Sequence, residues 1–341
     1  MTAKLEDKIG QMLVFGWQGD ADDDPSSFNR HARRLVDEFH VGGLILMGRN
    51  VGAAVATRRT VDAAQRAAEL ARLPRLLIAT DQEGGRVARF GPPHYPDFPS
   101  SRQIAAGDKP GSARSNAASM GAMLSEVGVN WALAPVLDVN NNPGNVVIGD
   151  RSFGDNPALV MEFGEQFILG MQDDAGVMAC GKHFPGHGDT HVDSHLELPK
   201  IDHSLDQLKN TDLPPFRAAI EAGVGSIMTS HILFPELDPD LPATLSPSVI
   251  SGLLRRNLGF DGIVVSDCLE MRGVADTWGS AEAAVLAVIA GVDMVLACHT
   301  EPTQLQIRMA LIHAVESGRI SEVRIDEANH RISRAKALWA A

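Results

Sequence analysis

The sequence predicts an α/β fold, a (β/α)₈ barrel, and two observations support that class. Short apolar runs alternate with helix-compatible segments along the 341 residues, which is the repeating unit of such barrels. Most of the runs lack alternation of apolar and polar residues, as expected for strands buried on both faces of a parallel sheet. The predicted strands are residues 11–15, 43–47, 75–80, 131–137, 177–181, 226–230, 262–266 and 293–297.

Segments with a helical pattern separate these strands. Ser204 and Gln207 have the types and spacing of a capping box, and Ser246 with Pro247 has those of a helix start. The predicted helices are residues 54–72, 113–127, 156–174, 204–222, 246–258, 280–290, 302–317 and 321–337. Since no repeat or linker divides the chain, we expect one TIM-type barrel domain over residues 1–341 and no second domain. An open, doubly wound sheet is the alternative.

Composition limits the classes of partner. The formal net charge of −13 argues against nucleic acid or an anionic membrane and fits a small or neutral substrate. The three cysteines, Cys180, Cys268 and Cys298, are expected to be buried thiols in a reducing compartment. Glu6 and Asp7 interrupt any signal-peptide pattern, and no run reaches the roughly 20 apolar residues of a membrane span. We therefore expect a cytoplasmic protein that is a monomer or weak oligomer.

Polar residues follow most of the predicted strands, where barrels of this class carry their catalytic groups. Arginine and aspartate side chains around one pocket suit a polyhydroxylated ligand, because bidentate donors and acceptors match vicinal hydroxyls. After successive strands the chain places Asp81, Glu83, Arg86 and Arg89, then Asp138 and Arg151, then a histidine-rich stretch, then His231, Asp267 and His299.

The histidine-rich stretch, residues 181–199, reads GKHFPGHGDTHVDSHLELP. Its histidines, His183, His187, His191 and His195, recur at every fourth residue, a spacing that on a helix would align metal ligands. Pro185, Gly186 and Gly188 prevent that helix, and no H-E-x-x-H or paired Cys–His motif occurs. A phosphate-binding loop and a G-x-S-x-G elbow are also absent from the sequence. We therefore expect neither a metal nor a cofactor.

Three motifs resemble those of glycoside hydrolase family 3, in the family's order. They are KHFPGHGDTHVDSH at residues 182–195, DQEGGRVARF at 81–90 and VVSDCLEM at 264–271. The resemblance is closest to the single-domain β-N-acetylglucosaminidase branch and covers essentially the whole chain. It implies a retaining exo-glycosidase acting on terminal β-linked N-acetylglucosamine (GlcNAc). By the same resemblance, the substrate would be a GlcNAc–anhydro-N-acetylmuramic acid fragment of peptidoglycan.

The resemblance also implies a role for each site residue. Asp267 would be the nucleophile, and His195, oriented by Asp193, the general acid/base. The residues expected to hold the sugar are Asp81, Arg89, Arg151, Lys182 and His183. Many relatives carry a second acidic residue after the nucleophile, where this chain has Cys268.

Histidine suits the acid/base role because its unperturbed pKa of about 6.5 lies near working pH. Most retaining glycosidases use two carboxylates, and Glu83 and Glu270 are the rival acids here. We expect both to support the binding site or a helix start instead. His187 is expected to brace the loop, and His191 to be an exposed loop residue.

The sequence leaves other functions open. A β-N-acetylglucosaminide phosphorylase would use the same site with phosphate as acceptor, and a β-glucosidase or β-xylosidase would differ in sugar specificity. From a different class, a metal-dependent barrel hydrolase would use the histidine loop, and a non-catalytic barrel would only bind sugar. In each the expected partner is a small carbohydrate, without nucleic acid or membrane.

Overall fold

Eight parallel strands form a closed barrel in the computed structural model, which describes residues 4–19, 24–107, 109–190 and 198–341. The strands are β1 (Leu13–Phe15), β2 (Gly43–Leu46), β3 (Leu77–Thr80), β4 (Trp131–Ala132), β5 (Met178–Phe184), β6 (Ser226–Thr229), β7 (Ile263–Cys268) and β8 (Met294–Ala297). β1 pairs with both β2 and β8, so the sheet closes on itself. The predicted barrel is confirmed, and the open-sheet alternative is wrong.

All eight predicted strands are present, with changed ends. The first begins at Leu13, since Gln11 ends a helix, and the fourth stops at Ala132. Pro135 has no N–H for a ladder hydrogen bond, and beyond it β4 meets β5 only through an isolated bridge between Val136 and Lys182. The fifth continues three residues past its predicted end at 181, to Phe184. Lys182 and His183 are therefore strand residues rather than loop residues.

Helices surround the barrel, and the predicted ones are present with small shifts of their ends. The α-helices are Leu5–Gln11, Arg30–Asp37, Ala54–Leu70, Ser101–Ala105, Pro110–Glu126, Pro157–Leu169, Leu205–Gln207, Leu213–Glu221, Arg272–Trp278, Ser280–Ala290, Glu301–Glu316 and Glu322–Trp339. π-Helical segments are Gly170–Asp174, Leu208–Asp212 and Ser248–Asn257, and 3₁₀ turns are Gly48–Asn50, Gly149–Arg151 and Ala243–Leu245. The capping box of Ser204 and Gln207 is present. Four helices were not predicted from the sequence: Leu5–Gln11, Arg30–Asp37, Ser101–Ala105 and Arg272–Trp278.

The core fills the barrel and the space between strands and helices. Trp131 is buried inside, and its indole Nε1 donates to Ser226 Oγ at 2.8 Å. None of the described helices combines the length and apolar character needed to cross a bilayer.

The carboxyl ends of two strands are irregular. The pairing of β5 with β6 shifts between Gly181 and Phe184, and that of β7 with β8 shifts between Val265 and Cys268. Such irregularities redirect side chains and are frequent next to active sites. A small hairpin, Gln82–Gly84 paired with Val87–Ala88, follows β3 at the same end of the barrel.

Candidate active site

A cavity of about 320 Å³ opens at the carboxyl ends of the barrel strands. Six of the eight residues predicted for the site line it, namely Asp81, Arg89, Arg151, Lys182, His183 and Asp267. The remaining two, Asp193 and His195, lie in the segment 191–197, outside the described residues. The structure thus brings together residues from four strands and their loops that are up to 186 positions apart in sequence.

A buried ion-pair network forms one wall of the cavity. Glu83, 2% exposed, accepts from Arg151 Nε and Nη2 at 2.8 and 2.9 Å. Lys182 Nζ lies 2.7 Å from Oε1 of the same carboxylate. Burial by itself would raise the pKa of Glu83, but the charges of Arg151 and Lys182 outweigh it and lower the pKa to about 2. Glu83 is therefore a permanent anion that fixes two cations.

Asp81 belongs to the same network. Its carboxylate accepts from Lys182 Nζ at 2.9 Å and from Arg89 Nη2 at 3.1 Å. Burial would raise the pKa of Asp81, yet these two cations hold it well below its usual range. Burial likewise would lower the pKa of Lys182, and the two carboxylates raise it instead. Since each charge stabilises its neighbours, the wall presents ionised donors and acceptors in fixed positions.

Asp138, six residues beyond the end of β4, positions two histidines. The fully buried carboxylate accepts from the backbone N–H groups of His183 and His187 at 3.1 and 2.8 Å. Its second oxygen lies 2.7 Å from His183 Nδ1. Burial would raise the pKa of Asp138, but His183 lowers it. With Nδ1 tied to the carboxylate, the Nε2 edge of His183 lies 3.4 Å from Arg151 Nη2.

The first part of the histidine loop packs tightly against the loop after β4. A Cβ on Gly188 would lie 1.7 Å from the carbonyl oxygen of Val139, so the contact requires glycine. Asn145 Nδ2 donates to the carbonyls of His187 and Gly188 at 2.8 and 3.1 Å. His187 Nδ1 lies 3.0 Å from Thr190 Oγ1. Burial lowers the pKa of His187 to about 4, so this histidine is neutral and braces the loop, as expected.

Asp267 lies in β7, where the strand pairing shifts. Its Oδ1 accepts the N–H of Cys268 at 2.7 Å. Burial would raise the pKa of Asp267, but the nearby His231 and His183 lower it. The carboxylate is thus ionised at neutral pH, and Asp267 lines the same cavity as the ion-pair network. An ionised, partly desolvated carboxylate is suited to act as a nucleophile or an electrostatic stabiliser rather than as an acid.

Several functional contacts were not predicted from the sequence. Asp138 was noted only for its place after a strand, and Glu83 was expected to support the binding site or a helix start, but without a named partner. Glu270 accepts from the N–H groups of His299 and Thr300 at 2.7 and 2.8 Å, so it binds the loop between β8 and the helix that starts at Glu301. The available signal was position: Asp138 directly follows the predicted strand 131–137, and Glu83 lies three residues after the end of β3 at Thr80.

The described part of the chain contains one group of at least three possible metal ligands close together. It consists of Cys268, Cys298 and His299, whose ligand atoms all lie within 4.8 Å of one another. The group lies at the ends of β7 and β8, not in the histidine loop.

Comparisons with known proteins agree with the fold. The family model described as "Glycosyl hydrolase family 3 N terminal domain" matches residues 4–335. Beta-hexosaminidase A of Pseudoalteromonas piscicida is 37% identical over 325 residues, which cover 89% of this chain and 54% of that protein. A beta-hexosaminidase of Alkalilimnicola ehrlichii is 39% identical over 320 residues, 92% of this chain and 87% of the relative. The chain thus spans about half of the first relative's length.

Solved structures give the same result. A family 3 beta-N-acetylglucosaminidase from Paenibacillus sp. str. FPU-7 superposes with a TM-score of 0.95 at 42% identity, over 99% of this chain and 63% of that one. A beta-N-acetylhexosaminidase from Beutenbergia cavernae gives a TM-score of 0.89 at 31% identity, over 98% of this chain and 99% of that one. The family match covers nearly the whole chain, and these relatives share its barrel. The chain therefore belongs to glycosyl hydrolase family 3.

Proposed function

We propose that this barrel is a retaining exo-β-N-acetylglucosaminidase that releases terminal β-linked GlcNAc through a covalent glycosyl–Asp267 intermediate. The beta-hexosaminidase names of the relatives support the activity. The observation that carries the mechanism is the ionised Asp267 carboxylate in the cavity that Asp81, Arg89 and Lys182 also line. A carboxylate of this kind can attack the anomeric carbon.

The proton donor must be a different group from the described carboxylates of the cavity. Glu83 is bound by two cations, Asp81 by Lys182 and Arg89, and both have lowered pKa values. Both carboxylate oxygens of Glu270 accept hydrogen bonds from the backbone of the loop after β8. We therefore assign general acid/base catalysis to His195, oriented by Asp193. A histidine protonates the leaving oxygen in the first step and takes a proton from water in the second.

The ion-pair wall would hold the sugar. Asp81 and Lys182 offer an acceptor and a donor for vicinal hydroxyls, while Arg151 and His183 offer further polar contacts. Arg89 lines the cavity, and its Nε is buried with no acceptor among the described residues. A ligand carbonyl or carboxylate would satisfy this N–H.

The proposed substrate is a GlcNAc–anhydro-N-acetylmuramic acid fragment of peptidoglycan. The muramic acid carboxylate would lie toward Arg89 and Arg272, which both line the cavity. The relative from Beutenbergia cavernae, matched over 99% of its length, supports the barrel alone as the catalytic unit. The three buried, unpaired cysteines support a reducing, cytoplasmic location.

Two variants test the assignment of the nucleophile. Asp267→Ala is expected to reduce hydrolysis of nitrophenyl GlcNAc by at least about 10⁴-fold, because the covalent route is lost. A fluorinated GlcNAc donor should leave a glycosyl adduct on the Asp267 peptide in mass spectrometry. Asp206→Ala, which changes an exposed aspartate, serves as control. An adduct on another residue, or turnover by Asp267→Ala close to the control, would refute the assignment.

Leaving-group dependence tests His195. His195→Ala should slow cleavage of natural disaccharides far more than that of aryl glycosides with good leaving groups, because only poor leaving groups need protonation. Equal losses on both substrates would remove His195 from the acid role. Product analysis in phosphate buffer separates hydrolase from phosphorylase, since only the latter forms GlcNAc-1-phosphate.

A further inference from the structure

We propose that Cys268, Cys298 and His299 form a binding site for a thiophilic divalent cation such as Zn²⁺, placed beside the catalytic cavity. Each residue offers one ligand atom, and these atoms lie within 4.8 Å of one another. Two thiolates and one imidazole form a ligand set typical of zinc sites with an open position. This site lies on β7, β8 and the loop that follows, so it is separate from the histidine loop.

The geometry needs only a small closure to hold the ion. Zn–S and Zn–N bonds of about 2.3 and 2.0 Å in a tetrahedron place the ligand atoms roughly 3.5–3.8 Å apart. Cys268 pairs directly with Leu296 in the sheet, and Cys298 follows Leu296 by two positions. One thiol thus lies at the end of β7 and the other one residue past β8, and the closed barrel fixes the positions of these two neighbouring strands. Rotation of the side chains accounts for the remaining distance.

The charges around the group also fit a divalent cation. Cys268 Sγ lies 3.9 Å from Glu270 Oε2, and Arg49 Nη1 lies 3.2 Å from His299 Nδ1. The negative charges of two thiolates and Glu270 would equal the positive charges of Zn²⁺ and the Arg49 guanidinium. The occupied site would therefore be neutral. The bound ion would replace Arg49 as a partner of the imidazole.

The location predicts an effect on catalysis. Cys268 directly follows Asp267 and donates its N–H to that carboxylate at 2.7 Å, and Cys298 and His299 line the same cavity. A cation there would lie next to the anion that must attack the sugar, which lowers its nucleophilicity, and its open coordination position would face the substrate. We expect inhibition. This consequence rests on the proposed function, whereas metal binding does not.

Cobalt binding tests the site without reference to activity. Co²⁺ added to the full-length chain should give intense thiolate-to-cobalt charge-transfer absorption that saturates at one equivalent and is displaced by Zn²⁺. Cys268→Ala and Cys298→Ala should each weaken Co²⁺ binding by about 10-fold or more. The matched control is Cys180→Ala, which removes the third buried thiol. Wild-type protein whose cobalt complex lacks thiolate absorption overturns the proposal, and this result needs no variant.

Inhibition is then measured as the ratio of nitrophenyl GlcNAc turnover with and without Zn²⁺ for each variant. His299→Ala changes a half-buried residue and remains informative if a cysteine variant fails to fold. The concentration of Zn²⁺ for half-inhibition should rise about 10-fold or more in His299→Ala and the two cysteine variants, and stay unchanged in Cys180→Ala. Equal sensitivity of all variants would place the inhibitory ion elsewhere and refute the proposal.

Discussion

Lys336 provides a quantitative test of the electrostatics of the folded barrel. It lies in the helix Glu322–Trp339 with 7% of its surface exposed, and its Nζ donates to Gln11 Oε1 at 2.7 Å. Burial lowers the pKa of Lys336 from 10.5 to about 7, and no acidic group among the described residues offsets the shift. The ammonium is therefore an uncompensated buried charge at neutral and acidic pH.

The sign of the effect on stability follows from proton linkage. Between pH 10.5 and 7 the unfolded chain binds the lysine proton and the folded chain does not, so stability falls as pH falls through this window. Below pH 7 both states are protonated and the loss is constant. At about 1.36 kcal/mol per pKa unit, the shift to a pKa of about 7 destabilises the protein by about 2 kcal/mol at pH 9 and nearly 5 kcal/mol at pH 6.

Lys336→Met removes the buried charge and preserves most of the side-chain volume. The free energy of unfolding in urea, measured at pH 9 and pH 6, should show that the advantage of the variant over wild type grows by about 3 kcal/mol at the lower pH. Lys209→Met, at an exposed position, is the control, with a difference within about 0.5 kcal/mol at both pH values. An advantage of Lys336→Met that does not change with pH would refute the reasoning.

Three further substitutions test the site. Lys182→Met leaves Glu83 short of one cation, so the free energy of unfolding should fall by about 3–5 kcal/mol and sugar binding should weaken; unchanged stability in urea would show that the network is not coupled. The hydrogen bond to Asp212 raises the pKa of His203 to about 9, so its contribution to stability is complete below pH 6.5 and is lost as pH rises through 9. His203→Gln should abolish that loss in thermal unfolding. Gly188→Ala should destabilise by about 2–3 kcal/mol through its clash with a backbone carbonyl, and a variant as stable as wild type would contradict the packing.

The barrel could be predicted because its strands are buried on both faces. Continuous apolar runs such as residues 177–181 and 293–297 stand out against amphipathic helices, so the distribution of apolar residues along the chain located all eight strands. The ends of the strands were less predictable, because they depend on partners distant in sequence. Lys182 and His183 extend β5 although they are polar, since Asp81, Glu83 and Asp138 bind them inside the barrel. Short helices such as Ser101–Ala105 carry too few residues for a helical period.

The site residues could be predicted only as a set. Position after a strand, together with the family motifs, selected Asp81, Arg151, Lys182 and Asp267, and all four line the cavity. Which carboxylate pairs with which cation depends on packing and not on the local sequence. Nothing around Glu83 in the chain indicates that Arg151, 68 residues later, would bind it through two hydrogen bonds.

These pairings explain how one cavity keeps its anions in different roles. Glu83 and Asp81 have their charges neutralised by Arg151, Lys182 and Arg89 at direct hydrogen-bond distance, so they are poor nucleophiles and are suited to fix the positions of these cations. Asp267 instead accepts one backbone N–H, and no cation lies within ion-pair distance of it among the described residues. Its negative charge is therefore less compensated than those of Glu83 and Asp81 and more available to an electrophilic carbon. The same availability would make it responsive to a cation bound at Cys268 and Cys298.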